Sequence, residues 1–160
     1  MAETFSKSAI AELYQILSRY PSRFGGIAAL IPVLHLAHRE FGYISTETAE
    51  YVAALLELTP AEVRNAISFY SLFYRREMGK YVIQVCQTLS CSLLGSHHIL
   101  EHISKKLNIK PGETTTDEKF SLVTVECLGS CGTAPVMRIN DDYYENLTVE
   151  RVDEVLDSLP

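Results

Sequence analysis

No apolar run in the sequence approaches the ~18 residues that span a bilayer, so direct membrane insertion is not expected. The first ten residues, MAETFSKSAI, hold no basic region followed by an apolar stretch. That predicts a chain without a secretory signal, in a reducing cytoplasmic setting. No C-x-x-C dithiol occurs, and neither does G-x-G-x-x-G or G-x-x-x-x-G-K-[ST]. A thioredoxin-type redox couple and a nucleotide cradle are therefore not expected. Internal repeats and low-complexity segments are absent. So is any excess of positive charge, because 14 Lys and Arg stand against 20 Asp and Glu. The deficit is uneven: residues 1–78 hold seven basic and eight acidic groups, residues 79–160 seven and twelve. An acidic half repels phosphate backbones, which argues against a nucleic-acid partner.

What remains is enough for a folded core. A chain of this size buries roughly 68–70% of its unfolded surface, and 47% hydrophobic content excludes general disorder. The first 78 residues read as helical. Ile10, Leu13, Ile16 and Leu17 form one apolar face, interrupted at Pro21 and Gly25-Gly26. Leu30, Leu34, Ala37 and Phe41 carry a second helix, which tolerates Pro32 near its start and ends at Gly42. Ala49, Val52, Ala53 and Leu56 make a third stripe. Thr59-Pro60-Ala61-Glu62 has the N-cap, N1 proline and capping-box spacing of a fourth helix, continued by Val63, Ala66, Ile67 and Tyr70.

Near Gly79 the period changes. Tyr81 to Val85, Leu122 to Val125 and Val136 to Ile139 read as strands, and Asn140-Asp141 turns the last into Tyr143-Tyr144. Leu93, Leu100, Ile103 and Leu107 form a helical stripe ending before Pro111-Gly112. Thr148 caps a final helix carrying Val152, Val155, Leu156 and Leu159. The expected organisation is α/β: an N-terminal helical bundle over 1–78, then a β-α-β-β-α domain over 79–160.

All four cysteines lie in that second domain, as Cys86-x4-Cys91 and Cys127-x3-Cys131. Each pair follows a strand. If those strands are parallel neighbours, four thiolates converge outside one edge of the sheet, where open α/β sheets hold ligands. A structural zinc site admits such spacings loosely. A [2Fe–2S] cluster is broader and takes four Cys ligands. Gly95, Gly129 and Gly132 allow positive φ and close backbone approach to sulfur, and a helix after Cys91 would aim its dipole at the same charge. Buried structural thiols are the third reading.

The segments around these pairs, Val-Cys86-Gln-Thr-Leu-Ser-Cys91 and Val-Glu-Cys127-Leu-Gly-Ser-Cys131-Gly-Thr-Ala-Pro, resemble the NuoE-type subunit of respiratory complex I (NADH:quinone oxidoreductase), a thioredoxin-like [2Fe–2S] ferredoxin. The resemblance extends through Pro32-Val-Leu-His-Leu-Ala, Arg39-Glu-Phe-Gly-Tyr43, Phe69-Tyr70-Ser71-Leu72-Phe73 and Gly112-Glu113-Thr114-Thr115. It covers the chain from about residue 10 to the end. Glu118 departs from it, standing where the family often has Gly. The resemblance implies a thioredoxin-like domain with Cys86, Cys91, Cys127 and Cys131 as ligands of one [2Fe–2S] cluster. It implies one-electron transfer in an oxidoreductase complex, next to a flavoprotein subunit that carries FMN and the NADH site. It also implies no independent NADH oxidation by this chain, and a cytoplasmic position peripheral to the inner membrane through the complex. Related subunits serve NAD-linked hydrogenases and formate dehydrogenases.

Other patterns point elsewhere. His98-Ile99-Leu100-Glu101-His102 fits the H-x-x-E-H of inverted zinc peptidases, but nothing else supports proteolysis and a solvent-facing polar helix face is expected. His35 and His38 are expected to pack or to face a partner. A cluster-bearing DNA-binding sensor or a zinc-stapled module is the rival of another class; the absence of a basic stripe in residues 1–78 weighs against the sensor.

Overall fold

Hydroxyl side chains open three of the α-helices in the first of two units, Met1–Glu77 and Met78–Pro160, into which the chain divides. The structure is a computed structural model that describes residues 4–20 and 22–160; Pro21, expected to interrupt the first stripe, lies outside the described residues. Ser6 caps α1 (Lys7–Leu17) and Ser45 caps α3 (Thr46–Leu55). Thr59 and Glu62 close a full capping box on α4 (Pro60–Phe69), with Pro60 in the first turn. Between them lie a 3-10 helix (Ser22–Ala29) and α2 (Leu30–Phe41), which stops at Gly42 with φ 79°. Val33, Leu34, Val52 and Val63 are fully buried at the centre of this unit's core, each side chain stabilising it by about 1.5–3 kcal/mol.

The rotation of α1 differs from the expected one. Ala9, Leu13 and Ile16 face the core, while Ile10 is 38% exposed. The two stripes share Leu13 and Ile16, so periodicity alone does not choose between them. Phe5 does: it stacks on Phe41 and meets Tyr51 edge-on, anchoring the start of the helix. His38 packs against Phe73 and Tyr74 and accepts the Tyr74 N–H, and His35 packs on Phe73. Phe73 is buried, whereas Phe69 and Tyr70 are exposed, so Tyr70 does not continue the inner face of α4.

In the second unit β1 (Tyr81–Cys86) is central in a sheet of order β2-β1-β3-β4. It runs parallel to β2 (Phe120–Val125), meeting the condition for the two cysteine loops to converge, with Cys86 opposite Val125. It runs antiparallel to β3 (Met137–Ile139), which turns into β4 (Asp142–Tyr144). Central position explains the apolar run: five of the six β1 residues are buried. The buried Gln84 is satisfied across the ladder by Arg138 Nε at 2.8 Å.

The helical stripe expected from Leu93 to Leu107 is two helices. α5 (Leu89–Leu93) ends before Gly95, whose φ of 94° breaks the stripe, and α6 (Ser96–Leu107) follows. Leu93 consequently points outward, 77% exposed. α7 (Val149–Ser158), capped by Thr148, is tied to α6 by Asp153, which pairs with His102 at 2.8 Å and Lys106 at 2.9 Å. Glu118 adopts φ 57° in the turn before β2. That left-handed conformation favours glycine at this position, and the glutamate holds it at a cost of about 1 kcal/mol.

Candidate metal centre

Two loops leave the same edge of the sheet, because β1 and β2 are parallel neighbours in register. The Gln87 N–H bonds the Val125 carbonyl at 3.0 Å, and the Cys86 N–H bonds the Val136 carbonyl at 3.2 Å. Cys86 is thereby fixed at the end of a central strand, and Cys91 sits within the short helix α5. Both sulfur residues are buried with Val136, covered by Leu128 and Ala134. The expected helix following Cys91 does not begin there; Cys91 lies inside α5, and α6 starts only after Gly95.

The second pair is held differently. Cys127 and Cys131 are exposed on the loop after β2, with their Sγ atoms 3.7 Å apart. Gly129 adopts φ 78° between them and turns its N–H onto Cys127 Sγ at 3.3 Å. Cys131 opens a single 3-10 turn (Cys131–Thr133). Glu145, beyond β4, ties this loop down: it accepts from the Thr133 hydroxyl at 2.7 Å and from the Ser130 hydroxyl. Tyr143 Oη donates to the Leu128 carbonyl at 3.1 Å, and the Asn146 N–H to the Thr133 carbonyl at 2.7 Å. Gly132, expected to serve like Gly129, has no positive φ, and a β-carbon on it would meet no atom within 4 Å.

Each pair contains one thiol pushed down and one pushed up. Burial opposes ionisation of Cys86, but the Thr88 hydroxyl, the Leu128 and Thr88 N–H groups and the Cys91 thiol hold its pKa below the ordinary thiol value. Cys91, desolvated and facing Cys86, is pushed up to about 11. The Gly129 N–H, the Cys131 thiol and the Thr88 hydroxyl bring Cys127 down. Cys131, sharing its proton with Cys127 and repelled by its charge, goes up. Charge on Cys86 also raises each of the other three thiols, so all four occupy one electrostatic neighbourhood.

The donors cross between the loops. The pKa of Cys127 is drawn down in part by Thr88 and that of Cys131 by Ser90, both from the first loop; Leu128 and Val136, from the second loop and its far end, act in the same direction on Cys86 and Cys91. These donors carry no regular sequence signal, although Thr88 and Ser90 are visible as hydroxyls inside the C-x4-C.

Four free thiols thus stand as two pairs, Cys127 and Cys131 in direct contact, with the Thr88 hydroxyl at Cys86 and the Gly129 N–H at Cys127, a setting that suits thiolates held by a cation in place of protons. As they stand, no three His, Cys, Asp or Glu side chains among the described residues form a group able to hold a metal ion. The H-x-x-E-H histidines do not converge: His98 is exposed, while His102 is half-buried and bound to Asp153.

Residues 13–160 match the family model of the thioredoxin-like [2Fe–2S] ferredoxins. A relative from Rickettsia felis, named as the E subunit of NADH-quinone oxidoreductase, is 44% identical over 155 residues, spanning 96% of this chain and 92% of its own length. One from Dictyostelium discoideum, named NADH dehydrogenase [ubiquinone] flavoprotein 2, mitochondrial, is 41% identical over 156 residues, covering 97% of this chain and 63% of that protein. Among solved structures, an NAD+-reducing [NiFe]-hydrogenase in the air-oxidised state shares the fold at a TM-score of 0.68 and 22% identity, over 82% of this chain and 24% of the hydrogenase chain. With its paired cysteines, mixed α/β architecture and near full-length relatives, the chain belongs to the thioredoxin-like [2Fe–2S] ferredoxin family, among the E subunits of NADH-quinone oxidoreductase.

Proposed function

We propose that the chain is an electron-transfer subunit in which Cys86, Cys91, Cys127 and Cys131 hold one [2Fe–2S] cluster beside the FMN- and NADH-binding flavoprotein subunit of NADH:quinone oxidoreductase. The carrying observation is that the parallel neighbours β1 and β2 release both cysteine pairs at one edge of the sheet, where Leu128 and Val136 pack with Cys86 and Cys91 and the Thr88 hydroxyl and the Gly129 N–H lie against sulfur. When bound, the cluster supplies a one-electron carrier. Leu128, Val136 and Ala134 keep water from the buried pair, and the Gly129 N–H and Thr88 hydroxyl offset negative charge on sulfur.

The exposed pair leaves one side of the site open to a partner. Leu89 and Leu93 of α5 and Leu94 after it are exposed on the loop that carries Cys91, an apolar surface that suits docking of another subunit. The sequence holds neither nucleotide cradle, so NADH binding and hydride chemistry are assigned to the flavoprotein, and this chain makes and breaks no substrate bond. The four ligands all fall in the domain we assign to residues 79–160, behind a helical bundle over 1–78. No described helix is long and apolar enough to cross a membrane; we assign attachment to the inner membrane to the larger complex, on its cytoplasmic side.

The test uses two reductants on the purified subunit. Dithionite reduces it by one electron per chain, whereas NADH does so only after the flavoprotein subunit is added. Reduction by NADH alone, or saturable NADH binding to the isolated chain, contradicts the assignment.

A further inference from the structure

Among the described residues five α-helices begin behind a hydroxyl side chain, and one of those hydroxyls is not used as a cap. Ser6, Ser45, Thr59 and Thr148 each accept the N–H three residues on, at 3.2, 3.0, 3.3 and 3.2 Å. Thr88 opens α5 with the same extended backbone, φ −74° and ψ 168° against −70° and 172° at Ser45, yet makes no capping bond. Its hydroxyl lies 3.2 Å from Cys86 Sγ instead. A threonine that forgoes the bond its position favours has a competing acceptor.

We propose that Thr88 is a positioning residue whose hydroxyl donates to Cys86 Sγ and raises the reduction potential of the cluster held there, an inference that rests on the cluster reading above. Reduction of a thiolate-bound cluster adds one negative charge shared with its sulfurs. A hydrogen bond strengthens as its acceptor gains charge, so an O–H on sulfur stabilises the reduced form more than the oxidised one. The electron comes from an external reductant such as dithionite, no bond is made or broken, and the proton stays on Thr88 Oγ1. A hydroxyl has one proton and serves one sulfur at a time.

The experiment is a redox titration of the reconstituted full chain, followed by absorption and electron paramagnetic resonance, for wild type, Thr88→Val and Thr88→Ser. Valine keeps the shape and removes the donor. At the wild-type midpoint its reduced-to-oxidised ratio falls about tenfold, a downward shift of about 59 mV for one electron, while serine restores the wild-type value. After exchange into heavy water, the reduced wild type and Thr88→Ser show a coupled deuteron that Thr88→Val lacks. A Thr88→Val protein with full iron and sulfide at the wild-type potential overturns the role of the hydroxyl. Thr88→Ala carries the same comparison should valine prevent loading; if both fail to load while serine loads, the hydroxyl is needed to hold the cluster, not to tune it, and the proposal is overturned. Wild type that takes up no iron and sulfide overturns the cluster reading itself, which separates the two failures.

Discussion

Cys86 and Cys91 are buried and set by a strand and a helix, whereas Cys127 and Cys131 are exposed and set by a loop. Despite that contrast the two pairs are electrostatically alike, each with one thiol lowered and its mate raised. Burial alone would raise both members of the first pair. The likeness therefore comes from donors: two or more hydrogen bonds reach Cys86 and overcome its desolvation, and the Gly129 N–H does the same for Cys127 without any burial to overcome. Regular structure delivers one pair and a tethered loop the other, and the parallel strands β1 and β2 bring both out at one edge of the sheet.

If the pairs do form one site, removing any single thiol has the same outcome. Cys86→Ser, Cys91→Ser, Cys127→Ser and Cys131→Ser should each lose most of the bound iron, measured as iron and sulfide per chain. Full iron in Cys131→Ala, which leaves no donor atom at that position, would mean that the buried pair suffices and the comparison is wrong.

The loop pair depends on Gly129 in a way the buried pair does not depend on any glycine. Gly129→Ala forces a side chain into φ 78°, a strain of about 1–2 kcal/mol. It should shorten the lifetime of the cluster, followed by the decay of its visible absorption. Gly132→Ala, with no such φ and open space around the position, should match wild type.

A pH profile sharpens the contrast within the buried pair. Cys91 titrates at about 11 in the folded chain against an ordinary 9.0, so between these values the folded state holds the proton that the unfolded state has lost. Its contribution is present below pH 9 and is lost as pH rises from 9 to 11. The denaturant midpoint of the metal-free protein should fall over that window, and Cys91→Ala should flatten the fall.

The smallest effect concerns the tether. Glu145 is held below the ordinary carboxylate range by the Ser130 and Thr133 hydroxyls, so the tie is present above that range and released as pH falls through the folded pKa. Glu145→Ala should speed the reaction of Cys127 and Cys131 with an alkylating agent in the metal-free chain and leave Cys86 and Cys91 unchanged. Equal acceleration at all four cysteines would show that the tether is not local to the loop.

Much of this arrangement is legible in the residues. The capping box at Thr59, the β-rich run before Cys86 and the two cysteine spacings are local signals with local causes, whereas the parallel pairing that aims both loops at one edge is only a condition on the sequence and is supplied by the structure. What escapes is set by tertiary contacts. The rotation of α1 is chosen by Phe5 packing on Phe41, the outward turn of Leu93 follows from a break at Gly95, and the difference between Gly129 and Gly132 lies in backbone angles that both residues permit. The Leu128 and Val136 N–H donors are invisible because nearly every residue owns such a group. Thr88 is the exception: its hydroxyl inside the C-x4-C can be seen, but only its missing cap bond singles it out.

The central claim is that the four thiols hold one two-iron cluster. Iron, acid-labile sulfide and zinc assayed on the same preparation of the full chain test it most directly. The account predicts about two iron and two sulfide per chain with the visible absorption of a [2Fe–2S] centre and no zinc; a colourless protein carrying about one zinc and no sulfide would contradict it.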